Sequence, residues 1–274
     1  MKHLRFGMPT LIECPTLEEN AALCKRLGLH FIELNMNLPA FGLDALEDTD
    51  TLLRTAGRYG VAFTVHLDER MDVADFNPLV RGAYLETVRR AAAAAARLTE
   101  LQPPDVPVTL NMHMNHGIWL TLPDRKVLLY GLESERYLGA MCAFRDACTE
   151  WIGNSRVRVC VENTDGYLPF EKEAVGLLLE SPVFSLTWDI GHSASTGEAD
   201  EPFLTAHRDR LTHFHIHDGG MDPPRCHLAL GDGSIDLDAR LALAASVGAD
   251  CVLETKTAAA LERSAAWLAE RGLL

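Results

Sequence analysis

Four apolar segments of this chain each end on a side chain that can bind a metal ion. They are VRVCVENT, FSLTWDIGH, LTHFHIHDG and DCVLETK, and the side chains are Glu162, Asp189, His215 and Glu254. A carboxylate at the end of an apolar strand is costly to bury unless it is paired, hydrogen-bonded or metal-bound. One such residue could simply cap the next helix. Four of them, with oxygen and imidazole donors, predict a site for a divalent cation.

The spacing of these residues predicts a repeating architecture. The gaps between them are 27, 26 and 39 residues, and each gap fits one strand-helix unit. Periodicity predicts strands at 4–9, 31–36, 61–66, 107–113, 157–162, 184–189, 211–216 and 250–254. Helices are predicted at 16–28, 43–60, 77–100, 133–151, 170–180, 201–210, 236–247 and 258–271. Successive strands would deliver their last residues to the same edge of one sheet.

The element pattern and the length agree on a fold class. Strands that alternate with helices predict a parallel sheet, and eight units predict an α/β fold closed into a (β/α)8 TIM barrel. The chain has 274 residues, close to the ~250 typical of such a barrel. No linker rich in Pro, Gly or Ser interrupts the alternation, so we expect one domain over 1–274. A glycine-rich dinucleotide fingerprint is absent after the first strand, which disfavours a nicotinamide dehydrogenase.

Composition excludes several classes of partner. The net charge of -14 and the pI near 5.2 disfavour binding to nucleic acid or to an anionic membrane. No segment approaches the ~20 continuous apolar residues of a membrane span, and no secretory leader is recognisable, which predicts a cytoplasmic protein. Seven cysteines without a C-x-x-C pair indicate reduced thiols.

Two long segments, 114–132 and 217–235, connect predicted strands to the elements that follow them. Long loops at the carboxyl side of a barrel usually determine specificity. The first carries Trp119 and Tyr130 and could be a lid, or a loop that only anchors its own aromatic side chains.

Five motifs together resemble the xylose-isomerase-like barrels, a family of sugar isomerases and epimerases that also contains metal-dependent apurinic endonucleases. The motifs are VENT with Glu162, WDIGH with Asp189 and His192, HFHIHD with His215 and His217, HLALGDGSID with His227, and LETK with Glu254. The resemblance implies that Glu162, Asp189, His215 and Glu254 bind one divalent metal ion. Mn or Zn is expected first, with Co or Mg as alternatives.

His66 and His113 end the third and fourth predicted strands, where the endonuclease branch of the family places ligands for further zinc ions. Substrate contact, metal binding and structural hydrogen bonding all remain open for both. The endonuclease pattern would have an aspartate two residues before His227, where this chain has Arg225. An arginine repels a cation and better suits a substrate oxygen or phosphate.

The remaining candidates would line the same pocket. By resemblance, Glu162 and Glu254 exchange protons with the substrate, and His192 could bind a hydroxyl or transfer a proton. His227, Arg225, Glu33 and Lys256 are predicted to contact substrate, together with His66 and His113. For Glu33 a buried hydrogen bond is an equal alternative, and for Lys256 an ion pair.

The resemblance implies a metal-dependent isomerase or epimerase of a sugar or sugar phosphate, which removes a proton next to a carbonyl through a metal-stabilised enediolate. Three alternatives stay open: a dehydratase of the inosose or dehydroshikimate type, an apurinic endonuclease-like zinc hydrolase, and a noncatalytic sugar-binding protein. The expected partner is a small polyhydroxylated substrate, and a homo-oligomer is possible.

Overall fold

A ring of parallel strands positions the predicted ligands. The computed structural model describes residues 4–274, so residues 1–3 of the expected domain lie outside the described part. The strands are Arg5–Pro9 (β1), Phe31–Asn35 (β2), Ala62–His66 (β3), Val108–His113 (β4), Trp119–Thr121 (β5), Lys126–Leu128 (β6), Val157–Glu162 (β7), Phe184–Asp189 (β8), Leu211–Ile216 (β9), Asp218–Met221 (β10), Pro224–Leu228 (β11) and Asp250–Leu253 (β12). The helices are Leu17–Arg26 (α1), Leu43–Glu47 (α2), Thr49–Tyr59 (α3), Pro78–Leu98 (α4), Leu129–Leu132 (α5), Ser134–Ile152 (α6), Pro169–Leu178 (α7), Ile190–Ser195 (α8), Glu201–Ala206 (α9), Leu237–Val247 (α10) and Ala258–Glu270 (α11).

Eight of the strands close into a barrel in the order β1-β12-β9-β8-β7-β4-β3-β2, and β2 pairs again with β1. Every pairing between neighbours in this ring is parallel. The predicted (β/α)8 barrel is therefore confirmed. Because the strands are parallel, their carboxyl ends form one rim, where Glu162 of β7, Asp189 of β8 and His215 of β9 meet.

The prediction was wrong in detail where a cap or a hairpin intervenes. The helix predicted at 43–60 is divided at Asp48, whose carboxylate accepts the backbone N–H of Thr51 at 3.2 Å and starts α3. The helix predicted at 201–210 ends as α9 at Ala206, before a short 3₁₀ turn. Each long segment contains an antiparallel hairpin, β5-β6 in the first and β10-β11 in the second.

Apolar side chains fill the space between the barrel and its helices as one continuous cluster, with the fully buried Trp188, Phe144 and Phe184 among its largest members. No helix within residues 4–274 is both long enough and apolar enough to cross a membrane.

Asp250 begins β12 at the amino end of the barrel, opposite the rim that carries the predicted ligands. Its carboxylate lies 3.1 Å from Arg5 Nη1. Burial raises the pKa of Asp250 to about 6, against the lowering effect of Arg5 and Arg158. The contribution of this group to stability is thus fully present below its ordinary pKa of 3.8 and is lost as the pH rises through about 6.

Replacing Asp250 with Asn should remove this pH dependence. We expect the unfolding free energy of the Asp250→Asn variant, relative to wild type, to increase by roughly 2 to 3 kcal/mol between about pH 4 and about pH 7. Urea unfolding at several pH values measures the difference directly. A difference that is independent of pH would contradict the raised pKa.

Candidate metal centre

Glu162, Asp189, His215 and Glu254 meet at the carboxyl rim of the barrel. Glu162 and Asp189 end β7 and β8, His215 is the fifth residue of β9, and Glu254 follows β12 directly. All four are buried. Nδ1 of His215 lies 3.3 Å from Oε1 of Glu162, 3.5 Å from Oε2 of Glu254 and 3.8 Å from Oδ2 of Asp189. The structure therefore brings together the four residues whose spacing predicts a metal site.

The two glutamates present their oxygens in the same way. One oxygen of each is held by the protein: Oε2 of Glu162 accepts from Nδ2 of Asn111, and Oε1 of Glu254 lies 2.7 Å from Nζ of Lys256. The other oxygen of each points towards His215 Nδ1 and has no hydrogen-bond partner within residues 4–274. Each carboxylate is anchored by one oxygen and offers the second to the centre of the site.

Asp189 combines two tasks. Its Oδ1 accepts the backbone N–H of His192 at 2.6 Å, which caps the first turn of α8. Its Oδ2 faces the centre of the site, 3.8 Å from His215 Nδ1. The helix cap fixes the rotamer of a side chain that would otherwise have several, so the second oxygen has a defined position.

These residues fit a divalent cation. One donor atom from each of the four lies within 4.8 Å of every other. Ligand atoms bound about 2.0 to 2.2 Å from one ion lie roughly 3 to 3.6 Å from one another, which is close to the observed distances from His215 Nδ1. Glu162 Oε1, Glu254 Oε2 and His215 Nδ1 are buried polar atoms without hydrogen-bond partners in the described chain. Buried polar atoms are normally satisfied, and a shared cation would satisfy all three. Carboxylate oxygens with one imidazole suit Mn, Zn, Co or Mg.

The electrostatics favour ionised carboxylates. Burial alone would raise the pKa of Glu162, but His215 and His113 outweigh it and hold that pKa well below its usual range. At Glu254, burial raises the pKa and His215 and Lys256 lower it, and the net result is again a pKa well below the usual range. At Asp189 the lowering of the pKa comes from His217 and His192, again against burial. Ionised carboxylates are the form that binds a cation.

His66 and His113 lie beside Oε2 of Glu162, the oxygen that Asn111 holds. Nε2 of His113 is 3.2 Å and Nε2 of His66 is 3.6 Å from Glu162 Oε2. His66 is 2% exposed and donates Nδ1–H to the carbonyl of Leu67 at 2.8 Å. Burial lowers the pKa of His66, but Glu162 raises it to about 9 overall. A substrate could reach His113, whose side chain is 16% exposed, whereas His66 can act mainly through Glu162.

The mouth of the site carries His192, His227, Lys256 and Arg225. His192 and His227 are each 20% exposed, and their rings lie 5.2 Å apart. Nδ1–H of His227 donates to the carbonyl of Glu254 at 3.0 Å. Burial lowers the pKa of His227 to about 4, so its Nε2 keeps a lone pair for a donor such as a hydroxyl. Arg225 is exposed and forms no ion pair with any residue in 4–274.

Glu33 lies below the site rather than at its mouth. It is 1% exposed, and its carboxylate reaches across the barrel to His215 Nε2 at 3.0 Å and His213 Nε2 at 3.4 Å. Its Oε2 accepts the hydroxyl of Thr64 at 3.4 Å, so the position favours the buried hydrogen bond over substrate contact, the two alternatives that the sequence left open. A carboxylate on the outer nitrogen of a ligand histidine orients the ring for the metal.

Residues 21–271 match the model of a family described as xylose isomerase-like TIM barrel. The chain belongs to this family. The recognition made from the five motifs is therefore confirmed. No curated protein matches the sequence significantly.

Solved structures with the same barrel include proteins named as an epimerase, as an epimerase-like protein and as a dehydratase. A D-tagatose 3-epimerase-like protein is 20% identical, with a TM-score of 0.74 over 98% of this chain and 96% of that chain. The 3-keto-D-glucoside 4-epimerase YcjR from E. coli is 15% identical, with a TM-score of 0.69 over 97% and 99%. The probable 3-DHS dehydratase AsbF from Bacillus anthracis is 13% identical, with a TM-score of 0.69 over 98% and 100%. At these identities the similarity shows the shared fold.

Sequence reasoning missed the residues that hold the ligands of this xylose isomerase-like barrel in place. Asn163 accepts the N–H of Asp189 at 2.9 Å and donates to the Asp189 carbonyl at 3.0 Å, which ties the end of β7 to the end of β8. Asn163 also donates to Ser193 Oγ, which accepts Trp188 Nε1–H at 2.9 Å. The position of Asn163 directly after Glu162 in the VENT motif was the available signal.

Proposed function

We propose that this protein is a divalent-metal-dependent isomerase or epimerase acting on a small polyhydroxylated ketone or aldehyde, such as a sugar or sugar phosphate. The observation that carries the proposal is the pair of half-anchored glutamates, each with one oxygen free at the same centre. Membership in the xylose isomerase-like family supports it.

Epimerisation and isomerisation both begin with removal of a proton from the carbon next to a carbonyl. A bound divalent cation would hold the carbonyl and neighbouring hydroxyl oxygens and offset the negative charge that develops on them. Glu162 and Glu254 come from β7 and from the residue after β12, which β8 and β9 separate in the barrel. Two carboxylates on different sides of one substrate could remove a proton from one face and return it to the other.

Nearby side chains suit the remaining steps. His192 and His227 flank the site at its mouth and can exchange hydrogen bonds with substrate hydroxyls. The ammonium of Lys256, 2.7 Å from Glu254 Oε1, holds that carboxylate and adds positive charge beside the reacting centre. His113 can contact substrate from the opposite side of Glu162.

Solvent isotope incorporation tests the proposal directly. Metal-depleted protein is supplied separately with Mn²⁺, Zn²⁺, Co²⁺ or Mg²⁺ and incubated in D₂O with a panel of free ketoses, including tagatose, allulose and ribulose, and with sugar phosphates. Proton abstraction predicts metal-dependent deuterium at the carbon next to the carbonyl, seen by NMR, together with a new isomer. Ketoses recovered unchanged and unlabelled under every condition would contradict the proposal and favour a noncatalytic sugar-binding protein.

A dehydratase is the second candidate, because its reaction starts with the same proton removal. The imidazole of His192, 20% exposed at the mouth and 3.7 Å from Glu162 Oε1, could protonate a departing β-hydroxyl. Ultraviolet absorbance of an enone product, measured in parallel with the isotope experiment, separates elimination from epimerisation.

A further inference from the structure

His217 is a buried histidine that the proposed mechanism does not use. It follows β9 directly and is fully buried. Its Nε2 lies 3.0 Å from both carboxylate oxygens of Asp189. Its Nδ1 accepts the backbone N–H of His227 at 2.7 Å. His217 thus contacts a predicted metal ligand on one side and the hairpin strand β11 on the other.

The hydrogen bonds determine which nitrogen of His217 carries the proton. Nδ1 must offer a lone pair to the N–H of His227, so in the neutral ring the proton is on Nε2 and is donated to Asp189. Burial lowers the pKa of His217 and Asp189 raises it, with a net rise. The backbone N–H of His227, 2.7 Å from Nδ1, requires a lone pair there, and it is closer than the Asp218 carbonyl, which lies 3.4 Å from the same nitrogen.

The backbone around His217 is adapted to it at two positions. Gly191, the second residue of α8, has no side chain where the imidazole lies: a Cβ there would be 1.9 Å from His217 Cε1 and 2.1 Å from its Nδ1. His227 has φ of 57°, which is unusual for a residue other than glycine. In this conformation its N–H points at His217 and its Nδ1–H at the Glu254 carbonyl. Strained backbone of this kind persists where surrounding contacts require it.

We propose that His217 is a positioning residue of the metal centre: it donates a hydrogen bond to Asp189, and Gly191 is required because only glycine leaves room for the ring. The inference rests on the proposed metal site. In this role His217 binds neither the cation nor the substrate. It connects two predicted ligands, since Asp189 contacts His217 and the His227 that His217 holds contacts Glu254.

The Gly191→Ala variant tests the steric part of the inference. The added methyl group should displace the His217 ring from Asp189 and raise the Mn²⁺ dissociation constant about 10- to 100-fold, the range typical of losing a partner of a metal ligand. Gly176→Ala is the matched control, because Gly176 is also helical but nothing lies within 4 Å of the position that its Cβ would occupy. Alanine favours a helix by about 1 kcal/mol over glycine, so the control should keep stability and affinity.

Variants of His217 test the hydrogen bond. His217→Ala should weaken Mn²⁺ binding as much as Gly191→Ala. His217→Gln, whose amide nitrogen can still donate to Asp189, should retain affinity to within about 10-fold. In the His217→Ala background, Gly191→Ala should add almost nothing, because the methyl group then has space and the two changes act on one contact.

Chelator competition measures the dissociation constants, the Co²⁺ absorption spectrum reports the ligand geometry, and circular dichroism confirms folding of each variant. Unchanged Mn²⁺ affinity in His217→Ala would overturn the inference while leaving the proposed function intact. If the wild-type protein bound two ions and the His217→Ala variant lost one of them, the inference would also be overturned. His217 would then be a ligand, together with His192 and His227, with which it forms another group of close donors. A wild-type protein that binds none of the four metals would overturn both proposals.

Discussion

Replacing Glu254 with glutamine should lower kcat by about 10³-fold or more under saturating metal, because a general base alone contributes about 10² to 10⁴. Glutamine keeps the size of the side chain and an oxygen for Lys256, which lies 2.7 Å from Glu254 Oε1. It cannot accept a proton from carbon, and its amide is a poorer ligand than a carboxylate. The barrel should remain folded, since the substitution leaves no cavity.

Deuterium incorporation into the substrate measures this loss at the step that Glu254 is proposed to perform. Glu262→Gln is the matched control: Glu262 is half-exposed on α11 and pairs with Arg26 on the outside of the barrel, so this variant should keep full activity. If Glu254→Gln exchanged protons at more than about a tenth of the wild-type rate, an essential base at this position would be ruled out.

Replacing Asp189 with asparagine should remove most of the bound metal. Asparagine caps a helix about as well as aspartate, so the N–H of His192 keeps its acceptor and α8 should be preserved. The charge that offsets the cation is lost. We expect the Mn²⁺ dissociation constant to rise by at least about 100-fold, beyond the 10- to 100-fold typical of residues that only support ligands.

Elemental analysis of the purified wild-type and Asp189→Asn proteins gives moles of each metal per chain. Asp48→Asn is the matched control, because Asp48 also caps a helix, α3, but is exposed and belongs to none of the groups of possible metal ligands. About one ion per wild-type chain, lost only from Asp189→Asn, is the expected result. An unchanged metal content in Asp189→Asn would contradict the ligand assignment. Two or three zinc ions per wild-type chain would instead assign His66 and His113 as ligands and favour the zinc hydrolase alternative.

The barrel was predictable because the sequence patterns that specify its strands and helices are local and repeated. Each strand carries its own period-two pattern and each helix its own apolar stripe, and eight repetitions allow one closed arrangement. The strands predicted at 157–162, 184–189 and 211–216 match β7, β8 and β9 residue for residue. The predicted helix boundaries were wrong where a side-chain cap starts a new helix, as Asp48 does between α2 and α3. The two hairpins were missed because their strands are largely exposed or half-buried and lack the apolar pattern of the buried barrel strands.

The convergence of Glu162, Asp189, His215 and Glu254 followed from sequence for a related reason. A residue at the end of a parallel strand must lie at the carboxyl rim, wherever the strand is placed in the barrel. Position along a strand therefore determines height in the barrel, and side chains at the same rim that face inward lie close to one another. Neither the partners of each residue nor its depth below the mouth follows from that rule.

The sequence by itself determined the (β/α)8 barrel, the rim at which chemistry can occur and the four side chains that meet there. Only the tertiary structure decided how the other polar residues divide: Glu33 beneath His215, His66 behind Glu162, His192 and His227 at the mouth, and His217 against Asp189. Those contacts join strands distant in sequence across the barrel axis, and they depend on single atoms and on space such as that left by Gly191. Strand periodicity specifies a face and a height, whereas the choice of partner across a closed barrel arises only when all eight strands are in place.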